Sequence, residues 1–261
     1  MNAAERRGML INSVEFDKEL RSGQMSPLEL APIAKRLGAQ GVEYREVYWH
    51  DKAKELPAVV AQLRELRLKG YYATFTTLFN RDPEKQARLM QDLEDAHALG
   101  SPLMRVFQGE RPAEGPEGAQ VLEATRRVID KAGEYGMRLA LENFVGIPGG
   151  TLVEIQDTLA MLNSPVMGSN IDTSNYSMHG ETALDAIKSL GPRVIYAHLK
   201  DVRETPEGLK TTYLGNGILP FKEIIAALDA TGNDFPFTFE FQGDGDPEGA
   251  IAKSIAFLKS L

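Results

Sequence analysis

The stretch MRLALENFVGIPGGTLVEIQDTLAMLNSPVMGSNIDTS, residues 137–174, decides the fold. It begins with the β-rich run MRLALENF (137–144) and ends with a second one, GSNIDTS (168–174). Between them, TLVEIQDTLAMLNS (151–164) repeats apolar residues at steps of three and four, which predicts an amphipathic helix. A helix between two strands is typical of the unit that connects parallel neighbours in a sheet.

The same unit recurs along the whole chain. Further β-rich runs are LINSVEF (10–16), GVEYREVYW (41–49), YYATFTTLF (71–79), LMRVFQG (103–109), VIYAHLKDV (194–202) and FTFEFQG (237–243). Eight strands that alternate with helices predict parallel pairing with right-handed crossovers. The chain has 261 residues, close to the roughly 250 typical of one (β/α)8 TIM barrel. We therefore predict a flexible leader over residues 1–8 and a single (β/α)8 barrel domain over residues 9–261.

Composition narrows the classes of function. Hydrophobic residues make up 43% of the chain, but no apolar run approaches the roughly 20 residues of a membrane span, so we expect no membrane partner and a cytoplasmic location. The chain has no cysteine, which leaves His, Asp and Glu as metal ligands. A net charge of −8 opposes nucleic-acid binding, which depends on clustered Lys and Arg. A small molecule is the expected partner.

Ionisable residues stand at the ends of four predicted strands, where the active site of a (β/α)8 barrel forms. Two-residue alternation places Glu142 on the inward face of its strand, with the flanking leucines turned toward the helices. Asp172 ends the next strand, His198 lies in the seventh, and Glu240 lies in the eighth between two phenylalanines. Taken singly, each carboxylate is more often a solvated residue or a helix cap, and His198 a core histidine.

The four residues carry more weight together than singly. Three carboxylates converging in a medium of low dielectric constant are unfavourable unless a cation compensates them. We therefore predict one divalent metal on Glu142, Asp172, His198 and Glu240. A mostly oxygen ligand set favours Mn²⁺, with Mg²⁺, Co²⁺ and Zn²⁺ as alternatives.

The motifs LALEN, NIDTSN, YAHLKDV and FTFEF, in this order, resemble the xylose isomerase-like superfamily of sugar isomerases and epimerases. The resemblance extends over nearly the whole chain, with GVE (41–43), MRVFQG (104–109) and LGNGILPFKEII (214–225) as further marks. Relatives such as D-tagatose 3-epimerase and hydroxypyruvate isomerase imply that the four matching positions bind one divalent metal. They also imply that Glu142 and Glu240 act as acid and base, so that a proton moves through an enediolate.

Residues near the predicted metal are candidates for binding substrate. Arg45 and Arg105 follow or lie in strands, and Trp49 offers a ring on which a sugar can stack, although packing within its loop is an equal alternative for Trp49. Many relatives have a histidine three residues after the aspartate ligand, whereas this chain has Asn175, and its nearest histidine is His179. Asn175 and His179 are therefore candidates as well.

Lys200 suggests an alternative reaction. The segment HLKD resembles the seventh strand of myo-inosose dehydratase, and the ammonium group would bind a substrate oxygen or protonate a leaving hydroxide. A lysine that extends to water is the plain alternative.

The leading expectation is a metal-dependent isomerase or epimerase of a sugar or a sugar-derived keto-polyol. The second is a lyase of the inosose or dehydroshikimate dehydratase type, and the third is a non-catalytic sugar-binding barrel. A homodimer or homotetramer is the expected assembly.

Overall fold

Eight parallel strands close into a barrel in the computed structural model, which describes residues 6–242 and 245–261. The barrel strands are β1 (Met9–Asn12), β2 (Gly41–Arg45), β3 (Lys69–Phe79), β4 (Leu103–Gly109), β5 (Arg138–Glu142), β6 (Met167–Asp172), β7 (Val194–Leu199) and β10 (Phe237–Phe239). Each strand pairs with its neighbour in sequence, and β10 closes the circle by pairing with both β7 and β1. The predicted (β/α)8 fold is confirmed.

Helices cover the outside of the barrel. They are α1 (Asp17–Ser22), α2 (Leu30–Leu37), α3 (Lys52–Leu66), α4 (Pro83–Leu99), α5 (Pro116–Glu134), α6 (Leu152–Leu162), α7 (Thr173–Met178), α8 (Ala183–Leu190), α9 (Phe221–Ala230) and α10 (Pro247–Ser260). Local sequence sets their ends: Thr151 and Glu154 form a capping box at the start of α6. Gly100 ends α4 at φ 79°, a left-handed conformation that favours glycine.

The two faces of each strand differ in character. Outward residues such as Leu139, Leu141 and Phe239 are buried against the helices in the main hydrophobic core. Inward residues fill the N-terminal part of the barrel with a smaller apolar cluster, in which the rings of Tyr71 and Tyr196 stack with centroids 5.4 Å apart. Above this layer the inward positions become polar. The barrel floor is therefore closed, and chemistry is confined to the C-terminal mouth.

Several details differ from the sequence prediction. The chain forms an antiparallel hairpin, β8 (Asp201–Thr205) and β9 (Gly208–Thr212), immediately after β7. Strand β10 ends at Phe239, so Glu240 lies one residue beyond it. Residues 1–5 of the predicted leader lie outside the described residues, while Arg7 Nε lies 2.8 Å from Asp229 Oδ1. The leader and the domain boundary at residue 9 therefore stay predictions.

No helix in the described part of the chain combines the length and the apolar character needed to cross a membrane. The predicted cytoplasmic location stays a prediction.

Candidate metal centre

Four side chains from consecutive barrel strands meet at the mouth. Glu142 ends β5, Asp172 ends β6, His198 is the fifth residue of β7, and Glu240 follows β10. Their potential ligand atoms all lie within 4.8 Å of one another, and all four residues are buried. The structure thus brings together the four residues that the sequence predicts to bind a metal.

Asp172 combines two tasks. Its Oδ1 accepts hydrogen bonds from the backbone N–H groups of Ser174 (3.0 Å) and Asn175 (2.9 Å), and so caps α7. Its own N–H donates to Asn143 Oδ1 at 2.9 Å, which fixes the end of β6. The second oxygen, Oδ2, takes no part in the cap. The helix-cap reading and the ligand reading of Asp172 are therefore compatible.

The two nitrogens of His198 face different partners. Nδ1 lies 3.3 Å from Glu142 Oε1 and 3.1 Å from Glu240 Oε2, whereas Nε2 lies 2.9 Å from Glu43 Oε2. Burial lowers the pKa of His198, but the carboxylates Glu240, Glu43 and Glu142 outweigh burial and hold it well above its usual value. A metal at Nδ1 would therefore have to displace a proton.

Each ligand carboxylate also has a cation of the protein beside it. Arg105 is fully buried, and its Nε lies 2.8 Å from Glu142 Oε2. Arg45 forms an ion pair with Glu240. Lys200 Nζ lies 2.6 Å from Asp172 Oδ2 and 3.2 Å from Glu240 Oε2. The protein itself therefore supplies three cations to these carboxylates, in addition to any metal.

Burial and these cations shift the pKa values of the three carboxyl groups in different directions. Burial raises the pKa of Asp172 to about 8, against the opposing effect of Lys200. Burial also raises the pKa of Glu240, but His198, Lys200 and Arg45 together hold it well below its usual value. Burial and the negative charge of Glu240 raise the pKa of Glu142. Arg105 and His198 outweigh them, so the pKa of Glu142 is lowered. Both glutamates are therefore ionised.

Four of the other predicted site residues lie next to the candidate ligands. Arg45, Arg105 and Lys200 reach the ligand carboxylates directly. Asn175 is buried beside Asp172, and its Nδ2 donates to the carbonyl oxygen of Asn143 at 2.7 Å.

Trp49 and His179 make other contacts. Trp49 stacks on Tyr44 with ring centroids 5.5 Å apart and packs against the outer core. His179 is the residue that follows α7. The substrate-binding roles of both residues stay predictions.

Three polar residues of this site were missed in the sequence. Glu43 and Asn12 are fully buried, and Asn12 Nδ2 donates to Glu43 Oε1 at 2.6 Å. Glu15 Oε1 accepts the N–H of Phe241 at 2.6 Å, and burial raises its pKa to about 8. Alternation along GVEYR carries the signal for Glu43, because it places Glu43 on the same inward face as Arg45.

The donor set fits a divalent metal. Three carboxylates and one imidazole nitrogen, with ligand atoms within 4.8 Å of one another, are the donor types of Mn²⁺, Mg²⁺ and Zn²⁺ sites in proteins. Nδ1 of His198 faces the carboxylates, as a ligand atom must.

Known proteins share this architecture. The family model described as "Xylose isomerase-like TIM barrel" matches residues 31–261. Among curated proteins, inosose dehydratase of Lacticaseibacillus casei is 24% identical over 230 residues, covering 76% of this chain and 76% of that protein.

Solved structures agree with the fold. A D-allulose 3-epimerase from Methylomonas sp., in complex with D-allulose, superposes with a TM-score of 0.76 at 19% identity and covers 98% of this chain and 97% of its own. The IOLI protein with a bound zinc atom superposes with a TM-score of 0.74 at 16% identity. The match covers 97% of this chain and 95% of that protein. At these identities the structural likeness shows the fold alone. The enzymes named among the relatives include both epimerases and dehydratases.

Proposed function

The chain belongs to the xylose isomerase-like TIM barrel family, and we propose that it is a divalent-metal-dependent isomerase or epimerase of a sugar or a sugar-derived keto-polyol. One observation carries the proposal. Two buried, ionised glutamates, Glu142 and Glu240, both lie next to His198 Nδ1, at 3.3 and 3.1 Å. Two carboxylates at one reaction centre can remove a proton from one carbon and return it to the same or the adjacent carbon.

Glu142, Asp172, His198 and Glu240 would hold the metal, for which Mn²⁺ is our first choice. A divalent cation supplies Lewis acidity that polarises a substrate carbonyl and a neighbouring hydroxyl, and so acidifies the C–H bond between them. Each of these four side chains also contacts another residue of the protein, which orients it for such a cation.

The protein's own residues divide the remaining work. Glu142 and Glu240 accept and return the proton, and the substrate passes through an enediolate. Arg105 holds Glu142, and Arg45 holds Glu240 from the other side of the mouth. We assign Lys200, whose side chain is only 11% exposed, to binding a substrate hydroxyl or carboxylate. Burial of the whole group excludes water and strengthens each of these charge interactions.

Solvent-deuterium exchange tests the proposal. Protein loaded with Mn²⁺ is incubated in D₂O with a panel of ketoses, aldoses and keto-polyols, and deuterium at carbon is measured by mass spectrometry. We expect exchange on at least one compound, with a rate that falls by about 10²-fold or more in Glu142→Gln and Glu240→Gln. Glu154→Gln, a change in the exposed cap of α6, is the matched control. Metal-loaded protein that exchanges no compound of the panel would overturn the proposal.

A lyase is the second candidate, favoured by one contact. Lys200 Nζ contacts two of the three candidate ligand carboxylates, Asp172 and Glu240, and in a lyase its ammonium group would protonate the leaving hydroxide. The curated relatives named inosose dehydratase are in keeping with this reading. A dehydratase would remove water from an inosose to give an enone, or from dehydroshikimate to give an aromatic product. Both products change the ultraviolet absorbance, and Lys200→Met would abolish that change. Sugar binding without either reaction, seen by calorimetry, would favour the non-catalytic barrel.

A further inference from the structure

A buried hydrogen-bonded chain lies behind the four ligand residues. Glu43 on β2 is fully buried, with Oε2 2.9 Å from His198 Nε2 and Oε1 accepting from Asn12 Nδ2 at 2.6 Å. The same Nδ2 group donates to Glu240 Oε1 at 3.2 Å. Glu43 therefore touches the histidine on the side opposite the ligand carboxylates.

The orientation of Asn12 is fixed independently. Its Oδ1 accepts the backbone N–H of Val14 at 2.9 Å, so its NH₂ group must point toward the two carboxylates. The amide of Asn12 thereby donates hydrogen bonds to both Glu43 and Glu240. Strand β1 pairs with both β2 and β10, and closure of the barrel is what brings these three side chains together.

The contact with Glu43 has a consequence for His198. A neutral imidazole carries its proton on one nitrogen and offers a lone pair on the other. A carboxylate accepts hydrogen bonds but cannot donate them, so Nε2 must carry the proton toward Glu43. In the neutral imidazole, which is the form that binds a metal, the lone pair then lies on Nδ1, which faces Glu142 and Glu240.

We propose that Glu43, held by Asn12, is a positioning residue that makes His198 an Nδ1 ligand and raises the affinity of the site for a divalent cation. The inference rests on the metal site of the proposed function. Carboxylates that accept from the distal nitrogen of a metal-binding histidine fix the ring, select the tautomer and increase its basicity. Glu43 is fully buried and contacts His198, so its effect on the metal passes through His198.

Calorimetric titration with Mn²⁺ tests the energetic part. Glu43→Gln keeps the shape of the side chain but removes its charge, and we expect the Kd for Mn²⁺ to rise by about 10- to 100-fold. Asn12→Ala leaves Glu43 in place but less fixed, and a smaller rise is expected. Asp92→Asn is the matched control, because Asp92 is an equally buried carboxyl that accepts from Thr74 and Thr76 instead. Its Kd should equal that of the wild type.

Nitrogen-15 NMR of histidine-labelled, Zn²⁺-loaded protein tests the tautomer directly. The chain has four histidines, and the His198 signals are identified as those lost in His198→Ala. We expect Nδ1 to be bound to zinc and Nε2 to be protonated. If Glu43 only stabilised the fold, Glu43→Gln would lower the melting temperature without changing the Kd for Mn²⁺.

The outcomes separate the two proposals. If the wild type binds no divalent metal, both this inference and the proposed function fail. If the wild type binds Mn²⁺ and Glu43→Gln binds it equally well, only the role of Glu43 is overturned. If Glu43→Gln does not fold, the NMR experiment on the wild type decides, and zinc bound through Nε2 would overturn the inference.

Discussion

The two halves of the barrel contribute different things to the mouth. Strands β5, β6 and β7 and the residue after β10 carry the four proposed ligand residues. Strands β1, β2 and β4 carry four residues that contact these side chains, namely Asn12, Glu43, Arg45 and Arg105. We call them the ligand half and the partner half. The site is therefore assembled across the barrel and depends on its closure.

The comparison separates folding from metal binding. Buried carboxylates without partners would carry a large desolvation cost, and the partner half removes much of that cost with guanidinium groups and hydrogen bonds. The protein can thus keep Glu142 and Glu240 ionised before any metal binds. Changes in the partner half should act on stability first, whereas changes in the ligand half should act on metal affinity first.

Removal of a partner cation should give the largest effect on stability. Arg105→Met would leave Glu142 buried without its cation, and we expect the free energy of unfolding to fall by about 3–5 kcal/mol in urea titrations. The control is Arg127→Met, which removes an exposed ion pair with Glu123 and should cost less than about 1 kcal/mol. Equal losses in the two variants would show that the buried pair has no special weight.

Glu15 extends the partner half to the peptide that follows Glu240, and it should make stability depend on pH. Burial raises its pKa in the folded state from 4.5 to about 8, so the folded state binds this proton more tightly than the unfolded state. Its contribution is complete below about pH 4.5 and is lost as the pH rises toward 8. Within that window the free energy of unfolding should fall by up to about 1.4 kcal/mol per pH unit.

Glu15→Gln checks this dependence, since its amide oxygen can still accept the N–H of Phe241. Urea titrations of both proteins between pH 5 and 8 should show a smaller slope for the variant. A variant with the slope of the wild type would remove Glu15 as the cause.

The smallest effect is expected for Asn175, a residue of the ligand half whose amide contacts backbone. Asn175→Ala removes the bond from Nδ2 to the Asn143 carbonyl and should cost about 1 kcal/mol of unfolding free energy. The Kd for Mn²⁺ should remain that of the wild type in calorimetry. A tenfold weaker Kd would instead place Asn175 among the residues that hold the ligands.

The ligand half was readable from the sequence for a local reason. Alternation along RLALE and the position of a strand end are properties of neighbouring residues, so they place Glu142 and Asp172 without knowledge of the rest of the chain. The eight strands and their alternation with helices were predictable in the same way.

The contacts of the partner half were not readable, because they depend on closure of the barrel. Glu43 meets His198 across 155 positions of sequence, and this contact exists only because the barrel brings β2 opposite β7. From the sequence, a metal was the only compensation considered for three carboxylates. Strand order alone does not show which side chains meet across the barrel, so the ion pairs of Arg45 and Arg105 were left out of that charge balance.

The metal content of the protein tests the central claim most directly. Wild-type protein and Asp172→Asn are saturated with Mn²⁺, freed of excess ion by gel filtration, and analysed for metal and protein. Asparagine can still cap α7, so the variant should fold while losing one carboxylate ligand. The account predicts about one ion per chain in the wild type and close to none in Asp172→Asn. A wild type without metal, or equal metal in both proteins, would contradict it.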